Sequence, residues 1–276
     1  MQIISQSPKL SNRNFISRLP DLKGDVRSVD DLLNRLISGI EVGDWDEQLK
    51  GLKTFKCLIE ANNHEIMNKL LTNDYLLQRL IRGVVRAVTN LRSQLSRCAV
   101  SSINLFGAYL RSTRQGHLLD VQADRILSAL LRRVGADRSI KFLYNESFDA
   151  LCSITRALSP TVVVNLLCLQ VSEQKAKSAK TRIVVGNILR QRMEIITHSV
   201  EDMEEFSRQF SAEGMERLIK VAAILTEDRL SETRAHGREI FRLVSRIKDI
   251  REFCRQKLPD RVWRVIQPIF QESSKS

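Results

Sequence analysis

From Ser28 onward, apolar residues return every three or four positions. Trp45, Leu49, Leu52, Phe55 and Ile59 form one such run. Leu95, Ala99, Ile103, Phe106 and Leu110 form another, and Ile240, Phe241, Val244 and Ile247 a third. That spacing places each set on one stripe of an amphipathic helix. No window alternates with period two, so the pattern predicts an all-α chain. Punctuation agrees. Ser159-Pro160 reads as an N-cap followed by proline at the first helical position, and Pro259 as the opening of a last helix carrying Val262, Val265, Ile266 and Ile269. Residues 1–26 differ: rich in Ser, Asn, Arg and Pro, with no acidic residue before Asp21, they read as a flexible basic arm. Pro8 and Pro20 interrupt the amphipathic helix that a transit peptide would need. Residues 27–272 read as the folded domain, and residues 273–276 as a disordered tail.

A repeat underlies the helices. A short polar turn, a hydroxyl residue and an arginine precede a new amphipathic stretch at Ser93–Arg97, Ser178–Arg182 and Ser231–Arg234. Gly43-Asp44-Trp45 and Gly135 to Lys141 are less regular members of the series. With Trp45, Ser93, Arg138, Ser178 and Ser231 as markers, the steps are 48, 45, 40 and 53 residues. These steps bracket the ~40–47 residues of HEAT-type helix pairs. Five pairs, and a sixth from about Lys248 to Phe270, predict an α-solenoid of six HEAT-like hairpins. In such a stack the turns inside successive hairpins line up along one edge.

Composition narrows the chemistry. The 276 residues hold 44 Lys and Arg against 32 Asp and Glu, a net charge of +12, and aromatic residues make up only 5%. Such a surface attracts polyanions, whether nucleic acid, anionic lipid or an acidic protein. The longest apolar run, Thr161 to Val171, is too short for the ~18 residues of a membrane helix. Cys57, Cys98, Cys152, Cys168 and Cys254 are widely spaced; Cys57, Cys98 and Cys168 sit among apolar neighbours and read as buried, reduced thiols. His64, His117, His198 and His236 stand singly and read as surface or turn residues. No phosphate-binding glycine loop, nucleophile elbow, zinc-protease motif or calcium loop occurs, so no catalytic residue, metal or cofactor is expected. The turn edge is the best constellation. It offers Trp45, then Arg92 and Ser93, then Arg138 and Lys141, then Lys177 and Lys180, then Arg229. An aromatic followed by a line of cations suits an acidic protein surface. Arg97, Arg182 and Arg234 follow their turns at matching positions and read instead as bridges between repeats.

The segment Gly43 to Leu52 resembles the opening of TOG domains of the crescerin and CLASP type. Thr89 to Val100, with Leu105-Phe106 and Tyr109-Leu110 after it, resembles the crescerin segment more closely. Ser231 to Arg238 follows a crescerin-like Glu-Thr-Arg-x-x-Gly-Arg pattern, and Leu158-Ser159-Pro160 resembles the motif before the family's fourth hairpin. The similarity runs from roughly Val29 to Phe270. It implies a paddle of six hairpins that binds tubulin or microtubules along its turn edge. Trp45 then matches the aromatic anchor, Arg92 and Ser93 the second turn, Lys180 the fourth and Arg229 the fifth. The third turn departs from the family, with Lys141-Phe142-Leu143-Tyr144 where a more polar sequence is usual. The resemblance further implies a non-enzymatic, monomeric protein of the cytoplasm and cytoskeleton, at the cilium or axoneme, with other ciliary proteins as further partners. Crescerin-type proteins carry several TOG domains; this chain has room for one, as a single-domain member or as part of an array. Two other readings stay open: a HEAT-type scaffold that no longer binds tubulin, and a basic solenoid for nucleic acid. Stacking on bases requires aromatics interleaved with the cations, and the ridge offers only Trp45. The helical reading predicts a circular dichroism spectrum with more than roughly 60% helix, about twice the share of an ordinary domain; a dominant strand signal would overturn it.

Overall fold

A computed structural model describes residues 28–136, 141–172 and 178–272. The arm assigned to residues 1–26 and the tail assigned to 273–276 lie outside the described residues. Among the described residues fourteen α-helices follow one another: α1 (Val29–Val42), α2 (Trp45–Glu60), α3 (His64–Leu71), α4 (Asp74–Val88), α5 (Ser93–Thr113), α6 (Ala123–Gly135), α7 (Lys141–Ala157), α8 (Pro160–Ser172), α9 (Ala179–Thr197), α10 (Met203–Gln209), α11 (Ala212–Thr226), α12 (Ser231–Val244), α13 (Ile250–Lys257) and α14 (Asp260–Glu272). A 3-10 stretch, Gly116–Gln122, precedes α6. The fold is all-α. Among the described residues the β-pairing is one isolated bridge, Asp202 to Lys248. Six hairpins are recognisable among the described residues, and four of the five expected markers fall where second helices begin; the fifth, Arg138, lies outside the described residues. Trp45 opens α2, Ser93 opens α5, Ser178 caps α9 and Ser231 opens α12. The chain divides into two compact units, the first ending at Leu105 and the second starting at Phe106.

In the first unit α1 packs on both α2 and α4. Leu32, Leu33, Leu36, Ile37 and Ile40 supply the buried face of α1. The approach is close because two glycines receive Ile40. A methyl at Gly83 of α4 would stand 2.8 Å from Ile40 Cγ2 and 3.0 Å from its carbonyl, and one at Gly51 of α2 would meet Ile40 Cγ1 at 2.6 Å. Beside this contact, buried Glu41 accepts from Arg79 Nε at 2.7 Å and Arg82 Nη1 at 3.1 Å, tying α1 to α4. Asn63 and Asn73 cap α3 and α4, each side chain accepting from a backbone N–H at 3.1 Å.

In the second unit α9 packs on α6, α8 and α12, and α11 packs on α8 and α12. The 3-10 stretch is tied to the loop before α8: Asp120 accepts from the backbone N–H and the hydroxyl of Ser159. Ser159 stands at the N-cap position, its carbonyl accepting from Val163 N–H at 3.1 Å and Pro160 opening α8, while its hydroxyl donates to Asp120. Pro259 likewise precedes α14, its carbonyl accepting from Trp263 N–H at 3.0 Å, and is not the first helical residue. Phe206 and Phe210 pack edge to face at 5.0 Å, and Trp263, Phe270 and Phe241 form a chain of tilted rings. Hairpins are joined by ions as well as by apolar contact. Arg182 Nε of α9 meets Asp228 Oδ2, before α12, at 2.5 Å, and Asp228 Oδ1 accepts from Leu230 N–H at 2.9 Å. Burial alone would raise the pKa of Asp228. The hydrogen bonds from Arg182 and Leu230, with the charges of Arg182 and Arg234, overcome this and hold it below the ordinary value.

Gly83→Ala is expected to destabilise the chain. Overpacking a close helix contact costs about 1–3 kcal/mol and outweighs the ~1 kcal/mol that alanine gains in a helix interior; a melt of the purified variant checks this. For Asp228, a carboxyl with a lowered folded-state pKa contributes stability above its unfolded value near 3.9 and loses it as pH falls through the folded value. Asp228→Asn should therefore lower stability at pH 7 by about 1.5–3 kcal/mol, the range for a charged hydrogen bond. The gap to the parent should shrink below about pH 4; denaturant melts across pH 3–7 measure it.

Candidate functional site

The first turn, between α1 and α2, is fixed by a capping box. Asp44 Oδ1 accepts from the N–H groups of Asp46 and Glu47, both at 2.9 Å, and Glu47 Oε2 reaches back to Asp44 N–H at 3.3 Å. This satisfies the free amides of the helix start without using the next side chain. Trp45 is consequently 46% exposed, so it is not a cap on the core. The second turn, between α4 and α5, is held by Asn90, whose Oδ1 accepts from Arg92 N–H at 2.9 Å, and by buried Ser96, which donates to Val88 O at 2.7 Å. Two residues that sequence reasoning did not select complete this edge. Leu91 is 98% exposed and Val42, at the end of α1, is 77% exposed. The guanidinium of Arg92 lies 4.8 Å above the Trp45 ring. Trp45 and Arg92 thus stand together, at a distance suited to cation–π attraction, and exposed Ser93 follows Arg92. A groove of about 580 Å³ runs between α1 and α2 beside Trp45. Within it Lys50 pairs with Asp46 at 2.6 Å, and Arg35 at its rim is held by Asp31, outside the lining, at 2.9 Å.

The second unit carries the later turns. Arg138 and Lys177 lie outside the described residues. Lys141 begins α7, and its side chain lies outside them too. Lys180, exposed on the first turn of α9, holds its ammonium 5.8 Å above the Tyr144 ring of α7. Gly135, at the end of α6, abuts the side chains of Ser178 and Thr181. Arg182 reaches Asp228, and Arg234 Nη1 donates to the carbonyls of Asp228 at 3.0 Å and Arg229 at 2.7 Å. The end of α6 and the first turns of α7 and α9 are therefore neighbours in this unit, Arg182 links α9 to the residues before α12, and Lys180 and Arg229 are exposed. The unusual third turn divides its residues. Leu143 is buried, and Tyr144 carries the lysine. Of the matched arginines, Arg182 bridges two hairpins and Arg234 closes its own turn, while Arg97 is exposed on α5.

The thiols correct part of the sequence reading. All five are free; Cys168 and Cys254 are buried, whereas Cys57 and Cys98 are half-buried. Burial pushes the Cys168 and Cys254 pKa values up to about 12, where a thiol is a poor nucleophile. His236 is another correction. It is half-buried against Gly186, its Nε2 is enclosed with no hydrogen-bond partner among the described residues, and burial lowers its pKa. Among the described residues no cluster of His, Cys, Asp or Glu could hold a metal ion, and no helix is long and apolar enough to cross a membrane. The two edges offer exposed apolar groups and cations, which suit binding to an acidic surface with an apolar recess.

No family model matches the chain. It is 23% identical, over 261 residues, to the TOG array regulator of axonemal microtubules protein 1 of Mus musculus; the match covers 95% of the chain and 13% of that protein. Its Homo sapiens counterpart is 26% identical over 125 residues, 45% of the chain and 6% of that protein. The chain thus spans about an eighth of the length of the mouse relative. Among solved structures, the MAST/Orbit N-terminal domain superposes with a TM-score of 0.54 at 14% identity, covering 87% of this chain and 97% of that domain. The chain is thus similar over most of its length to part of a TOG array regulator of axonemal microtubules, and its fold of helical hairpins is like that of the MAST/Orbit N-terminal domain.

Proposed function

We propose that this chain binds tubulin through its intra-hairpin turns and acts, without catalysis, on microtubules of the cilium or axoneme. The observation that carries the reading is the edge of the first unit. A tryptophan stands exposed at the first turn with an arginine over its ring, flanked by Leu91 and Val42. A soluble domain does not retain such a group for its own stability; it is the composition of an interface hot spot. Lys180 and Arg229 supply the attraction for an acidic surface in the second unit, and Arg138, Lys141 and Lys177 are assigned to the same role. The mouse relative is named as a regulator of axonemal microtubules, which supports a cytoskeletal, ciliary setting for this chain.

Trp45→Ala should leave the melting temperature nearly unchanged and weaken binding to purified tubulin by about 2 kcal/mol, roughly thirtyfold. Leu91→Ser should weaken it in the same direction. Size exclusion with free tubulin, beside cosedimentation with microtubules, reads both. Undiminished binding by Trp45→Ala would remove the anchor from the reading, and no binding by the parent chain would leave a helical scaffold with another partner. Lys177→Glu with Lys180→Glu should also reduce binding without unfolding, since exposed substitutions usually change stability by less than ~0.5 kcal/mol. The parent's affinity should fall as salt rises to physiological strength.

A further inference from the structure

Each unit sets a turn cation over an aromatic ring. In the first, the guanidinium of Arg92, just before α5, lies 4.8 Å from the centre of the Trp45 ring at the start of α2. In the second, the ammonium of Lys180, near the start of α9, lies 5.8 Å from the centre of the Tyr144 ring near the start of α7. The arrangement repeats: a cation from the turn of one hairpin rests on a ring from the turn of the hairpin before it. Both cations are exposed, and among the described residues neither forms an ion pair.

Tyr144 has a further unused group. Its ring is half-buried, yet its hydroxyl makes no hydrogen bond among the described residues and is not enclosed by them, so it meets solvent. Burial, and then the negative charge of Glu232 in the first turn of α12, raise its pKa, and at neutral pH the hydroxyl remains a donor. Leu143 beside it is buried. The third turn therefore departs from a polar sequence without becoming mere core. A lysine held over a ring at an exposed site adds little to stability, and it gives up rotamer freedom. What it gains is pre-organisation: an ammonium already placed costs less to order when a partner arrives.

We propose that Tyr144 and Lys180 form a second anchor, the ring and its hydroxyl seating a partner's surface and the ammonium receiving one of its carboxylates. The inference rests on tubulin as that partner. It adds a third-turn residue to the contact, and it gives the second unit a shaped site where charge alone had been assigned.

The test uses the whole chain and purified tubulin. Dissociation constants and melting temperatures are measured for the parent, Trp45→Ala, Tyr144→Phe, Tyr144→Leu, Lys180→Gln and the double variant Tyr144→Leu, Lys180→Gln. Tyr144→Leu keeps apolar bulk but removes the ring face and the hydroxyl, and should weaken binding about fivefold or more. Lys180→Gln, an exposed change that leaves the fold intact, should weaken it by a similar factor. The double variant should bind about as well as the weaker single, because residues in contact do not act additively. Tyr144→Phe keeps the seat for Lys180 and should lose less than Tyr144→Leu. If Tyr144→Leu binds like the parent while Trp45→Ala does not, the proposal is overturned and tubulin binding rests on the first unit. Additive losses, or losses that only follow the melting temperature, would overturn it as well and make Tyr144 a packing residue. No binding by the parent would overturn this proposal together with the tubulin reading.

Discussion

The first unit depends on a single side chain, Ile40, lying between two glycines. Gly51 and Gly83 let α2 and α4 approach α1 until its Ile40 touches both backbones. Once those distances are set, the end of α1, the start of α2 and the end of α4 come to the same level. Trp45 opens α2 and Arg92 follows α4, so the pairing of tryptophan and arginine depends on the spacing of helices that neither residue helps to pack. The Glu41 clamp on Arg79 and Arg82 reinforces the same pair of helices from the side. The surface group is thus a product of the core beneath it.

Cations serve two purposes in this chain, and their surroundings separate them. Some are held by carboxylates or carbonyls and join helices, as Arg79, Arg182 and Arg234 do. Some rest on aromatic rings at the turns, as Arg92 and Lys180 do. A net charge of +12 says none of this, since it counts both alike.

The helices and their hairpin order were legible because each helix buries one stripe, and a stripe leaves a period in the sequence. The starts of the second helices were legible for a related reason. Asp44 and Ser178 cap their helices through side-chain oxygens, and capping restricts the residue type. Short elements were not legible. The helices α3 and α10, of 8 and 7 residues, are too brief to show periodicity. Trp45 could be suspected as an anchor, but its exposure depended on Asp44 and Glu47 satisfying the helix start between them. Leu91 does carry a local signal, an apolar residue inside the polar turn Thr89–Ser93. The ring beneath Lys180 comes from a helix 36 residues away, and no local rule reaches it.

The chain contains two tryptophans, and the fold gives them opposite surroundings. Trp263 is 4% exposed and packs against Phe270, whereas Trp45 stands in solvent under a guanidinium. Their emission is therefore separable without labels. Trp263 is a built-in reporter of whether the second unit is folded, with a blue-shifted band that collapses on denaturation. Trp45 emits to the red and is open to collisional quenchers, and a partner seated on the first turn would shield it. One sample can thus read folding and occupancy as two independent optical signals.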